Sequence, residues 1–205
     1  MRSVPEIHYL VEGDTDAAVA RRLILACGAS PGMERVTRGK AKFRSNLPKY
    51  NAAAAHYPWV AIRDLDHDAE CAPALVRAAL PNANPRMCFR VAVREVEAWL
   101  LGDREALARA IGVSTSRVPG HPEVLPDPKR EIVNLARHSK KRGVREGLVP
   151  IQGSGIPIGP EYAAWIIDFV QSDWDPFRAI AGNSVPSLGR AVSAIQRLVL
   201  LATAK

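Results

Sequence analysis

The chain is short of cysteine, of aromatic residues and of long apolar runs, and each shortage excludes something. Its 205 residues contain only three cysteines, Cys27, Cys71 and Cys88, widely spaced and in no CxxC arrangement. Neither a disulfide framework nor a structural zinc site is expected, and each cysteine reads as a small buried hydrophobe. Aromatic residues make up 6% of the sequence. Trp99, Trp165 and Trp174 hold helical apolar positions and do not alternate with basic residues, so they predict core packing and not a stacking platform for single strands. The longest apolar stretches, such as Leu198–Ala202, fall well short of a membrane span. The opening residues Met1–Glu6 lack a signal-peptide apolar region. No membrane partner and a cytoplasmic location are therefore expected. The chain also has no GxxxxGK[ST] phosphate loop, so any ATPase it works with would be a separate polypeptide.

What is present points to an ordered, basic protein. Hydrophobic residues account for 47% of the chain, enough for a real core, and the net charge is +7. A positive balance favours a polyanionic partner. The charge is concentrated in two stretches. One holds Arg35, Arg38, Lys40, Lys42 and Arg44; the other holds Arg137, His138, Lys140, Lys141, Arg142 and Arg145. Arg38, Lys40, Lys42, Lys140, Lys141 and Arg142 are the candidate contacts to DNA or RNA phosphates; two solvated loops are the alternative.

The apolar pattern predicts strand, helix, strand, helix through the first half. Strands are expected at 6–11, 34–37, 59–64 and 87–93, with helices at about 15–27, 45–56, 69–80 and from 95. That order implies a mostly parallel four-stranded sheet with right-handed crossovers and flanking helices, an α/β fold of Rossmann-like kind. After residue 93 no strand is expected. Helices at 95–111 (broken near Gly102-Asp103), 127–138, 161–171 and 187–203 alternate with Ser-, Pro- and Gly-rich loops, and 139–160 reads as an exposed basic loop. The expected organisation is an α/β core over 1–101 and a C-terminal helical extension over 102–205.

Two acidic clusters stand at the ends of predicted strands. Glu12-Gly13-Asp14-Thr15-Asp16 follows the first strand and Asp64-Leu65-Asp66-His67-Asp68 the third. Open α/β sheets build sites at their carboxyl edge. Residues i and i+2 on an extended segment face the same side, so Asp64 and Asp66 can share a cation. Two carboxylates about 4 Å apart repel by roughly 4 kcal/mol at an effective dielectric near 20, and a hard divalent ion is the simplest compensation. Asp14 or Thr15 and Asp68 read as helix-capping residues, and Asp16 suits the first-turn dipole. Glu95 and Glu97 diverge by about 200° on a helix, so one of them is expected to face a site, with Glu95 the nearer to the strand end.

Tyr9-Leu10-Val11-Glu12-Gly13-Asp14-Thr15-Asp16 and Val60-Ala61-Ile62-Arg63-Asp64-Leu65-Asp66 together resemble the TOPRIM domain. A closer resemblance, spanning nearly the whole chain, is to a TOPRIM-like bacterial family of unassigned function. It includes Arg94-Glu95-Val96-Glu97-Ala98-Trp99-Leu100-Leu101, Trp174-Asp175-Pro176 and Pro186-Ser187-Leu188-Gly189-Arg190. It is related to the TOPRIM domain of overcoming-lysogenisation-defect (OLD) nucleases. The resemblance implies Mg²⁺- or Mn²⁺-dependent phosphodiester cleavage, in phage defence or nucleic-acid processing. It implies Glu12, Asp64 and Asp66 as catalytic residues and metal ligands, with Asp16 and Glu95 completing the metal set. A non-catalytic module that partners a separate ATPase is the alternative. A haloacid dehalogenase-like phosphatase with Asp64 as nucleophile comes third, because the Thr or Val expected two residues after the second Asp is Asp68.

Overall fold

A computed structural model describes residues 4–204. The chain is α/β. Its four strands are β1 (Glu6–Val11), β2 (Ser30–Val36), β3 (Trp59–Asp64) and β4 (Met87–Ala92), all parallel, in the order β2-β1-β3-β4. Helices α1 (Asp14–Ala26), α2 (Lys40–Ala53) and α3 (Ala72–Ala79) make the crossovers. After β4 come α4 (Val96–Gly102), α5 (Arg104–Ile111), α6 (Pro128–Arg137), α7 (Arg142–Leu148), α8 (Tyr162–Ser172), α9 (Pro176–Ala181) and α10 (Pro186–Thr203).

These residues fall into two compact units. The first is Met1–Val93 with Ser187–Lys205 and the second is Arg94–Pro186. The division differs from the expected boundary at 101/102. The last helix belongs with the sheet: Val93 N donates to Ser187 Oγ at 3.4 Å, and Cys27 Sγ approaches Val192 O at 3.9 Å.

In the first unit the strand order reverses direction between β1 and β3. β1 and β3 are interior and read as continuous apolar runs because both sheet faces are covered. Leu10, Trp59, Ala61 and Phe89 join Phe43 and Leu47 of α2 and Leu75 of α3 in one core cluster. The right-handed crossover puts α1 on the other face, where it buries Val19, Leu23 and Ile24, each contributing about 1.5–3 kcal/mol. The edge strand β2 is longer than the expected 34–37 and runs through Pro31-Gly32. An edge strand tolerates proline. The glycine is needed because a Cβ at Gly32 would stand 2.3 Å from His8 Nδ1. That imidazole nitrogen accepts from Met33 N at 2.8 Å, where the β1–β2 register slips.

Helix α2 starts five residues before its expected onset. Gly39 (φ 127°) caps it after Arg38 (φ 56°), so Lys40 and Lys42 lie on a first helical turn and not in a flexible loop. Pro48 sits inside this helix, on its exposed side.

The second unit is helical. The expected break at Gly102-Asp103 separates α4 from α5. Asp103, 3% exposed, accepts from Asp175 N at 3.0 Å and from Arg178 Nη2 at 2.8 Å, which ties α9 to that break. Trp99 and Trp174 are fully buried, and Trp174 Nε1 donates to Trp99 O at 3.3 Å, in line with the core packing expected of them. The stretch 139–160 is not one loop: α7 occupies Arg142–Leu148 and buries Val144 and Leu148.

Candidate active site at the carboxyl edge of the sheet

The strand order reverses between β1 and β3, and in open α/β sheets ligands usually sit outside the carboxyl ends at such a point. Register places Leu10 beside Ala61. Continued by two residues it sets Glu12 beside Arg63, and Arg63 Nε lies 3.1 Å from Glu12 Oε1. Arg63 is not among the site residues expected from the sequence. Its side chain is 2% exposed, and its guanidinium also ion-pairs and hydrogen-bonds with Asp68 and donates to Asp64 O at 3.1 Å. Lys40, at the start of α2, brings a second cation. Its Nζ is 2.6 Å from Asp66 Oδ2 and 3.5 Å from Asp68 Oδ2.

The resulting group is Glu12, Arg63, Asp68, Lys40 and Asp66. It differs from the expected set in four ways. Strand alternation sends Arg63 and Glu12 to the face covered by α2 and α3, and Asp64 to the opposite face. The chain leaves the strand after Asp64, and Asp66 takes a left-handed conformation (φ 47°), so the extended i, i+2 argument does not apply to Asp64 and Asp66. Asp68 is not a cap, because α3 begins at Ala72 behind Cys71. It is instead the acid shared by both cations. Asp16 proves to be the residue that caps α1: its Oδ2 accepts from Gly13 N at 2.8 Å, and Asp14 lies inside the helix.

The electrostatics separate the two acids that Arg63 joins. Burial pushes the Glu12 carboxyl above the ordinary glutamate value. Arg63 and Lys40 pull it back, and Asp66 and Asp68 add to the rise. Burial also opposes ionisation of Asp68, but the Arg63 hydrogen bond and Lys40 outweigh it and hold the carboxyl below its ordinary value. Glu12 Oε1 is buried without an aligned hydrogen-bond donor; its ion pair with Arg63 is a matter of proximity only. Among the described residues no group of three or more His, Cys, Asp or Glu is disposed to hold a metal ion. The carboxylates gathered here are those of Glu12, Asp66 and Asp68, close enough for Asp66 and Asp68 to raise Glu12.

Glu95 lies in the second unit, as the extended N-cap of α4. Because it precedes the helix, the 200° argument fails and both glutamates of the pair reach Lys129. The Glu95 carboxylate accepts from Lys129 N at 3.0 Å, and Glu97 Oε1 is 3.5 Å from Lys129 Nζ and 3.3 Å from the Tyr162 hydroxyl. Glu97 is 1% exposed and its Oε2 is buried without a donor. Burial first, then Glu97, raises the Glu95 carboxyl above its ordinary value. Glu95 and Lys129 border a cavity of about 700 Å³ with Arg130, Asn134 and Arg137.

The six residues expected to bind nucleic acid are mostly surface side chains with local roles. Lys40 is held by Asp66 and Asp68. Lys141 Nζ donates to Arg109 O and Ala110 O at 3.0 and 2.9 Å, capping α5. Arg142 pairs with Glu146 one turn on, at 2.7 Å. Arg38, Lys42 and Lys140 are exposed.

No protein-family model matches the chain, and no curated protein or solved structure matches it. No helix among the described residues is long and apolar enough to cross a membrane.

Proposed function

We propose that the protein is a phosphoryl-transfer enzyme that cleaves phosphodiesters of DNA or RNA at the carboxyl edge of its sheet, with Mg²⁺ or Mn²⁺. The observation that carries this reading is the meeting of Glu12, Asp66 and Asp68 with Arg63 and Lys40 at the point where the strand order reverses. The TOPRIM resemblance of the two acidic stretches agrees with it. Glu12 is the proposed base. Its raised proton affinity brings it nearer to the operating pH, where a base takes a proton from water most effectively. Lys40 stands at the rim, 44% exposed, and would meet charge that develops on phosphoryl oxygens. Arg63 is held by Glu12 and Asp68 and fixes both acids. A divalent ion bound by Glu12 and Asp66 would supply Lewis acidity toward the phosphoryl group.

Purified protein incubated with single- and double-stranded DNA and RNA in Mg²⁺ or Mn²⁺ tests this. Glu12→Gln is expected to lower cleavage by about 10²-fold or more, and Asp66→Asn to lower metal affinity and cleavage together. Equal cleavage by wild type and both variants would sink the reading. One observation favours a second reading, a non-catalytic module that partners a separate ATPase in phage defence: Arg63 and Lys40 already neutralise the acids. Calorimetric titration separates the two, since an absence of binding at millimolar Mg²⁺ and Mn²⁺ supports the module.

A further inference from the structure

The basic residues that stand in runs are largely engaged or scattered over the surface. Four arginines from separate parts of the sequence gather instead on one side of the first unit. A recess of about 250 Å³ is lined by Arg77 of α3, Arg90 of β4, and Ser187 and Arg190 of α10, with Val76 and Val91. Its lining residues include three arginines and no acidic residue. Among the described residues, none of the three makes a side-chain hydrogen bond or an ion pair. A guanidinium stays charged at all working pH values, so three permanent positive charges belong to residues that border one small volume, with no ion pair among the described residues to offset them. The first turn of α10, an 18-residue helix, adds the positive end of its dipole to the same volume. β4 is one of the two edge strands, and the recess lies beside it.

The charge continues beyond this recess. A neighbouring hollow of about 300 Å³ shares Arg90 and adds Arg197. Arg190 and Arg197 are seven residues apart on α10, two turns along one helix face, a rise of about 10 Å. One recess would suit one anion; two in line that share an arginine suit a chain of anions.

We infer that the Arg77–Arg90–Arg190 recess binds a phosphate group, and that with Arg197 it forms a track for successive phosphates of a polynucleotide strand. Guanidinium groups match phosphate oxygens through paired N–H donors. The inference extends the nuclease reading by naming where its substrate is gripped, but it does not require cleavage.

Binding measured in EDTA keeps the two apart. Anisotropy of a short labelled single-stranded oligonucleotide is followed against salt for wild type, for Arg77→Gln/Arg190→Gln and for Lys42→Gln/Lys140→Gln. Arg77 and Arg190 are exposed and unpaired, so their loss should leave the melting temperature unchanged. The arginine variant is expected to bind about tenfold more weakly, and its log K against log salt slope to flatten by about 0.7 for each phosphate contact removed. The lysine variant should change less. Inorganic phosphate titrated by calorimetry forms the second arm. If the arginine pair abolishes phosphate binding and leaves the oligonucleotide unaffected, the polynucleotide track is overturned and the recess serves free phosphate. If neither ligand is affected, the whole inference is overturned. Lost binding in EDTA alongside absent cleavage in Mg²⁺ would support the track while rejecting the nuclease.

Discussion

The two units solve the problem of buried carboxylates in opposite ways. At the carboxyl edge of the sheet the buried partner is the cation: Arg63 is 2% exposed, while Glu12 and Asp68 reach further toward water. In the second unit the buried partner is the acid: Glu97 is 1% exposed, while the side chain of Lys129 is 38% exposed. A buried guanidinium cannot give up its charge, so it recruits acids and holds one of them, Asp68, ionised. In the second unit burial first, and then the Glu97 charge, raises the neighbouring Glu95 and Tyr162. Beside the buried cation one acid is held ionised and the more buried one, Glu12, still keeps its proton longer; beside the buried acid both neighbours do.

The sharpest way to break this comparison is Arg63→Leu. Removing one partner of a buried pair strands the other, which typically costs 3–5 kcal/mol, or about that here. Urea unfolding followed through Trp59 of the first unit should show the loss at neutral pH. The loss should shrink in acid, because protonated Glu12 needs no cation. A cost below about 1 kcal/mol would mean that Arg63 is not what holds the site.

Glu97→Gln probes the other side. The folded-state value of Glu95 is raised, so its contribution to stability is fully present below the ordinary glutamate range and is lost as pH rises through the raised value. Without the Glu97 charge that raised value should fall, and the decline in stability across that window should become smaller. Carboxyl NMR titration of Glu95 reads this directly; an unmoved titration would separate the two glutamates. The smallest effect is expected from Tyr162→Phe. It removes one hydrogen bond of 3.3 Å to a carboxylate, a class worth about 1.5–3 kcal/mol at good geometry and less at this length, and should lower the midpoint without moving the Glu95 titration.

The strands were readable because continuous apolar runs such as Trp59–Ile62 leave little choice, and β3 lies where expected. The parallel order followed from the alternation of strands and helices. What could not be read were departures from local rules. Nothing local tells that Pro31 sits on an edge strand, where its missing N–H costs little, or that α2 runs through Pro48. Arg63 could have been found from register, since pairing β1 with β3 brings it beside Glu12. Asp68 could not, because its role depends on a loop whose left-handed residue, Asp66, carries no glycine signal. The arginine recess is hidden in the sequence for another reason: Arg77, Arg90 and Arg190 stand in no run and come together only once α3, β4 and α10 are packed.

The discontinuity of the first unit bears on the order of events during synthesis. Its final helix is separated from the sheet by the whole of Arg94–Pro186. A ribosome therefore delivers all of the second unit before it delivers α10. The second unit can finish folding first, while the sheet waits with Leu188, Ala191, Val192 and Ile195 still missing from its core. Until those residues emerge, apolar surface that they will cover stays open to water, and to any chaperone that recognises it.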